Sequence, residues 1–163
     1  FLATQAKEDA IHYEHKQIGY NYRMSNISAS IGLGQLEVLS KHIQLRRQNH
    51  AFYQQLFDTL SEVTLHQEPN ENFISNNWLN VIRLASFEQR EALRLHLENN
   101  NIESRPVWKP MHLQPLFQDN LYFGDDLETE LFNIGLCLPS GSSLSAEDLN
   151  RIKTALELFF NKL

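Results

Sequence analysis

The spacing of apolar residues changes several times along the chain, and each change predicts an element. Leu36, Leu39, Ile43, Phe52, Leu56 and Leu60 recur at helical intervals, with Lys41, Arg46, Arg47, Gln48 and Gln55 on the opposite face. This pattern predicts a helix over residues 36–60. Ahead of it, Ile27, Ala29 and Ile31 interleave with Ser28, Ser30, Gly32 and Gly34, and Ser25 or Asn26 can cap the start. Small residues allow close backbone approach, so this first helix is expected to be buried. Residues 1–24 show neither period and read as an irregular connection. Residues 66–77 are polar, with Pro69 and four asparagines, and read as a loop.

The second half is more regular. Residues 78–84 predict a strand. Ser86-Phe87-Glu88-Gln89 resembles a capping box and opens a helix to about Glu98, which the run Asn99-Asn100-Asn101 ends. Residues 102–107 predict a short strand, after which Pro106, Pro110 and Pro115 stiffen an irregular stretch. Residues 136–138 predict a third strand. Ser145 caps a last helix with Leu149, Ile152, Leu156 and Phe159 on one face. The expected fold class is α/β (α+β), with helices packed on a small, mostly antiparallel sheet.

Composition narrows the functions. The 163 residues are 42% hydrophobic, enough for a packed core. No run is long enough to span a membrane. A formal charge of −6 argues against a nucleic-acid binder. The single cysteine, Cys137, lies in an apolar run and reads as a buried structural thiol in a reducing, cytoplasmic setting. His12 and His15 have helical metal-ligand spacing but no evident third ligand, so no metal site is expected.

Two stretches carry candidate chemistry. In Gly19-Tyr20-Asn21-Tyr22-Arg23-Met24-Ser25-Asn26, a turn feeds a helix start, where free N–H groups and the helix dipole favour an anion. Asn21 and Arg23 add donors for phosphate or carboxylate. The alternative is a capped turn whose polar residues satisfy local backbone. In Arg105-Pro106-Val107-Trp108-Lys109-Pro110-Met111-His112-Leu113-Gln114-Pro115, Trp108 offers a flat face for a sugar ring or base. Arg105, His112 and Gln114 there can bond hydroxyls or phosphates. The alternative has Trp108 filling the core and His112 capping backbone.

Both stretches also resemble the DegT/DnrJ/StrS family of pyridoxal-phosphate (PLP) sugar aminotransferases. The first match runs over residues 18–39 and includes Ala29-Ser30-Ile31-Gly32-Leu33-Gly34-Gln35-Leu36-Glu37. The second is Ile102-Glu103-Ser104-Arg105-Pro106-Val107-Trp108-Lys109-Pro110-Met111-His112, and the third is Leu136-Cys137-Leu138-Pro139-Ser140-Gly141 followed by Ser145. These last two look most like the branch that aminates UDP-4-keto-6-deoxy-N-acetylglucosamine; GDP-perosamine synthases share the first. Ser104 departs from the threonine the resemblance would lead one to expect.

The resemblance implies the C-terminal small domain of a type I PLP-dependent transferase. Residues 1–24 would connect from a large domain, 25–60 would form hinge helices, and 61–163 the small domain. The cofactor-bonding lysine would lie in that large domain, so no residue here is expected to be catalytic and the piece alone should be inactive. Asn21 would reach the cofactor phosphate of the other subunit in a homodimer with a shared site. Arg23, Trp108 and His112 would contact the nucleotide-sugar substrate. The implied reaction moves an amino group from glutamate to the C4 ketone of the sugar. The alternatives are a PLP-dependent sugar dehydratase of the same fold and a non-catalytic binding module.

Overall fold

The structure is a computed structural model and describes residues 1–58, 60 and 63–161. The expected boundary at residue 61 and the last two residues of the expected small domain lie outside the described residues. The chain forms two compact units, Phe1–Ser40 and Lys41–Leu163. The division falls inside the first helix, α1 (Asn26–Phe57).

The two helical patterns expected over residues 25–60 are one continuous helix. Gly32 and Gly34 do not interrupt it. A glycine costs only about 1 kcal/mol in a helix interior, which a cooperative ladder of this length absorbs. Ser25 caps it, its Oγ accepting from the Ser28 N–H at 3.1 Å.

In the first unit, residues 1–24 are more ordered than the expected irregular connection. The chain folds back on itself through bridges Thr4↔Asn21 and Lys7↔His15. Gln5 N–H donates to Tyr20 O, and Tyr22 N–H donates to Ala3 O. Gly19 permits this: a Cβ there would run into the backbone of Gln5 and Ala6. The expectation of a buried helix at 27–36 is not met in this chain. Ile27, Ile31, Leu33 and Leu36 are all more than 60% exposed, and Gly32 and Gly34 face open space.

The second unit is built on an antiparallel sheet of β1 (Thr64–Leu65), β2 (Asn80–Arg83), β3 (Arg105–Pro106) and β4 (Gly135–Leu138). Strand order is β1-β2-β4-β3. β4 is central and fully buried, with Val81 opposite Cys137 and Arg105 opposite Cys137 on its other side. Three helices accompany the sheet: α2 (Phe87–Asn99), α3 (Leu127–Ile134) and α4 (Ala146–Phe160). Tyr53, Ile82, Leu93, Leu97, Leu136 and Leu156 form the centre of the core.

The expected caps are made. Ser86 accepts from Gln89 N–H, while the Gln89 side chain reaches one residue further back, to Ala85 N–H. Ser145 and Asp148 form a full capping box on α4. Asn101 takes the left-handed conformation just past α2, with φ 54°. The strand expected over 102–107 shortens to two residues; Pro106 is tolerated on this edge strand because its missing N–H does not face β4, and Val107 N–H still donates to Gly135 O at 3.3 Å.

Candidate functional site

In the second unit, α1 holds down the loop that follows β4. Tyr53 Oη donates to Pro139 O at 2.8 Å, Asn49 Nδ2 to Gly141 O at 2.9 Å, and Arg46 to Ser140 O at 3.0 Å and Trp78 O at 2.7 Å. Arg46 and Arg47, on the polar face of the predicted helix, are thus engaged; Arg47 donates twice to Ser75 O. The Ser140 side chain is the loop's other anchor. Its Oγ accepts from the Asn80 N–H and Nδ2 and donates to Leu138 O at 2.7 Å.

Beside this loop lies a cavity of about 610 Å³, lined by Trp78, Ser104, Arg105, Trp108, Cys137 and Arg151 among others. That volume falls within the range of small-molecule sites. Trp108 lines it, as the sequence suggested for a ring-binding face, and is 67% exposed rather than filling the core. Trp78 stands beside it, ring centroids 5.8 Å apart. Sequence reasoning missed Trp78, which reads there as the first residue of a strand. Cys137 is buried as expected, and burial raises its thiol pKa.

His112 is not among the residues lining that cavity. Its Nε2 is 2.9 Å from Thr129 Oγ1, its Nδ1 is 3.7 Å from Glu128, and its ring packs on Tyr122 with centroids 4.0 Å apart. Tyr122 Oη donates to Glu128 Oε1 at 2.6 Å, which lowers the Glu128 carboxyl pKa and raises that of Tyr122. The cluster ties the segment after Trp108 to α3. Sequence reasoning offered no signal for it, since α3 itself was not read.

The other two expected site residues lie in the first unit. Asn21 Oδ1 accepts from the Arg23 N–H at 3.2 Å, an Asx turn that positions both residues ahead of α1. This bond matches the capped-turn alternative for the Asn21 oxygen. The Asn21 amide NH2 and the Arg23 guanidinium find no partner among the described residues. These are the groups suited to an anion. Among the described residues no cluster of three metal-ligating side chains occurs, and no helix is long and apolar enough to cross a membrane.

Residues 2–157 match the sequence profile of the DegT/DnrJ/EryC1/StrS aminotransferase family. The chain belongs to this family. Among curated relatives of this DegT-family chain, the Bacillus subtilis "Putative pyridoxal phosphate-dependent aminotransferase EpsN" is 40% identical over 98% of the chain and 42% of its own length. The GDP-perosamine synthase of Escherichia coli O157:H7 is 37% identical over 93% of the chain and 41% of its own length. The chain therefore spans less than half the length of these relatives. In fold it is similar to Helicobacter pylori PseC, an aminotransferase of pseudoaminic acid biosynthesis, with a TM-score of 0.85 at 21% identity. That match covers 99% of this chain and 45% of PseC. Pyridoxal phosphate is the cofactor of the DegT family.

Proposed function

We propose that the chain is the C-terminal part of an aminotransferase that moves an amino group from glutamate to the C4 ketone of a nucleotide-linked 4-keto-6-deoxy sugar. The observation that carries this reading is the unpartnered donor pair in a chain of this family: the Asn21 amide and the Arg23 guanidinium, ahead of α1. Such a pair fits a phosphate. In this reading residues 1–24 connect to a large domain, 25–60 form the hinge and 61–163 the small domain.

Bound pyridoxal phosphate supplies the electron sink for the amino transfer. The residues of this chain bind and orient. Asn21 donates to the cofactor phosphate in the other subunit of a homodimer, and Arg23 neutralises charge on the nucleotide sugar. Trp108 supplies a wall for a ring. His112 engages the substrate only if its Thr129 bond opens; with that bond made, it fixes the segment that carries Trp108. None of these residues is assigned a proton transfer, and the reaction takes place in the cytoplasm.

The test is a turnover assay on the full-length parent with PLP, glutamate and UDP-4-keto-6-deoxy-N-acetylglucosamine, reading product mass. A 4-amino sugar is expected. Amination of GDP-4-keto-6-deoxymannose instead would replace the substrate and keep the reaction class. Loss of water from the sugar with no amine gained would favour the dehydratase alternative, and no turnover of either sugar a non-catalytic binding module. In the same parent, Asn21→Ala should weaken retention of PLP roughly tenfold, the value of a charge-assisted hydrogen bond. Bound cofactor is read by absorbance after dialysis, and unchanged retention would remove Asn21 from the site.

A further inference from the structure

The chain contains two tryptophans and one cysteine, and all three line the 610 Å³ cavity of the second unit. Four charged residues line it too, two of each sign, and each already has a partner. Arg105 Nε donates to Glu103 Oε1 at 2.7 Å. The Asp148 carboxylate accepts from the Ser145 N–H and hydroxyl in the capping box. Arg151 donates to the carbonyls of Asn100 and Asn101. The lining thus offers no unpaired cation to hold a diphosphate.

Two kinds of group in the lining are open to a ligand. Trp78 and Trp108, 58% and 67% exposed, present indole faces. The Ser104 hydroxyl is shielded from solvent and has no hydrogen-bond partner. A buried hydroxyl in this state is unfavourable until a ligand bonds to it. A hexose carries several hydroxyls and would ask for more polar partners than Ser104 and the Asn101 side chain supply. A planar heteroaromatic ring asks for stacking faces and few hydrogen bonds.

We propose that this cavity holds the base of the nucleotide sugar, stacked on the Trp78–Trp108 pair and bonded by the Ser104 hydroxyl, with the phosphates outside it. The proposal rests on the nucleotide-sugar reading above, and it adds Trp78 and Ser104 as residues that recognise the base.

Because no other tryptophan exists in the chain, its emission reports on this cavity alone. The 163-residue chain is titrated separately with uridine, guanosine, N-acetylglucosamine and inorganic pyrophosphate. One or both nucleosides should change the emission and slow alkylation of Cys137, while the sugar and pyrophosphate should do neither. Trp108→Ala, at an exposed position, should weaken nucleoside binding roughly 5- to 100-fold. Ser104→Ala should weaken it roughly three- to tenfold. A response to pyrophosphate alone would make this an anion site, and a response to N-acetylglucosamine alone a carbohydrate site; either overturns the proposal. So does silence from both nucleosides up to about 10 mM, an affinity too weak to contribute to recognition. Failure of the aminotransferase reading is recognised separately, by product mass in the parent, and leaves these titrations unaffected.

Discussion

Replacing Ser140 with alanine removes one oxygen and breaks three hydrogen bonds at the end of the central sheet. Ser140 is 6% exposed. Its loss takes a partner from the Asn80 N–H, the Asn80 side-chain NH2 and the Leu138 carbonyl, all in the buried layer between β2 and β4. A buried polar group left unpaired costs about 1–3 kcal/mol, and partial relaxation brings the expected total to about 3 kcal/mol. That is a large share of the roughly 5–15 kcal/mol that holds a domain folded. For a chain of this size each kcal/mol lowers Tm by roughly 2–4 °C, so the variant should melt about 6–12 °C earlier. Ser142→Ala is the control. Among the described residues Ser142 Oγ meets only His42 Nδ1, at 3.0 Å, and its loss should cost under about 1 kcal/mol. Urea denaturation with both m and Cm fitted separates a stability change from a change in the unfolded state. Equal midpoints for the two variants would refute the reasoning, because the Ser140 bonds would then be no more buried in effect than the Ser142 contact.

Further outcomes are expected. Gly135→Ala should destabilise the second unit by about 1–3 kcal/mol, since a Cβ there would sit 2.5 Å from Leu131 O and 3.0 Å from Val107; a calorimetric Tm within 1–2 °C of the parent chain (about that shift per half kcal/mol) would contradict it. The Asp148 carboxyl is held below its ordinary pKa by hydrogen bonds from Ser145, so its stabilisation is complete above about pH 4 and is lost as pH falls through the depressed value. Asp148→Asn should therefore flatten the acid limb of a stability-against-pH curve; an unchanged slope below pH 4 (the region of the ordinary carboxyl value) would show the capping box contributes nothing. The exposed apolar residues of α1 should drive concentration-dependent self-association of this chain, relieved by the double variant Ile31→Asp, Leu36→Asp. Sedimentation showing a strict monomer for the unsubstituted chain would dismiss that face as an interface.

Where side-chain chemistry acts locally, the fold was legible. Ser86 and Ser145 announce their helices through donors three residues on, and Asn101 marks a left-handed stop. Elements defined by distant partners were not. β1 is two residues long and exists because β2 pairs with it. α3 starts from Asp126 in the left-handed region with no side-chain cap, so the usual opening signal is missing. Trp108 could be singled out because prolines frame it, but its neighbour Trp78 is 30 positions earlier and meets it only in three dimensions. Burial of the 27–36 helix was misjudged for a related reason: small residues record what a surface is suited to meet, and Ile27, Ile31, Leu33 and Leu36 are exposed in this chain.

The way α1 holds the loop after β4 divides the freedom to mutate unequally between the two. Asn49 and Tyr53, with Arg46 a turn earlier, reach main-chain oxygens at residues 139–141, so the helix must keep those three side chains while the loop is held by atoms every amino acid possesses. Gly141 has no left-handed backbone to protect, and a Cβ there would meet nothing closer than 3.6 Å. Apart from Ser140, the loop can therefore change its surface chemistry beside the cavity without loosening its path. A lineage could retune what the cavity's rim offers a ligand through single substitutions, with the anchoring helix left as it is.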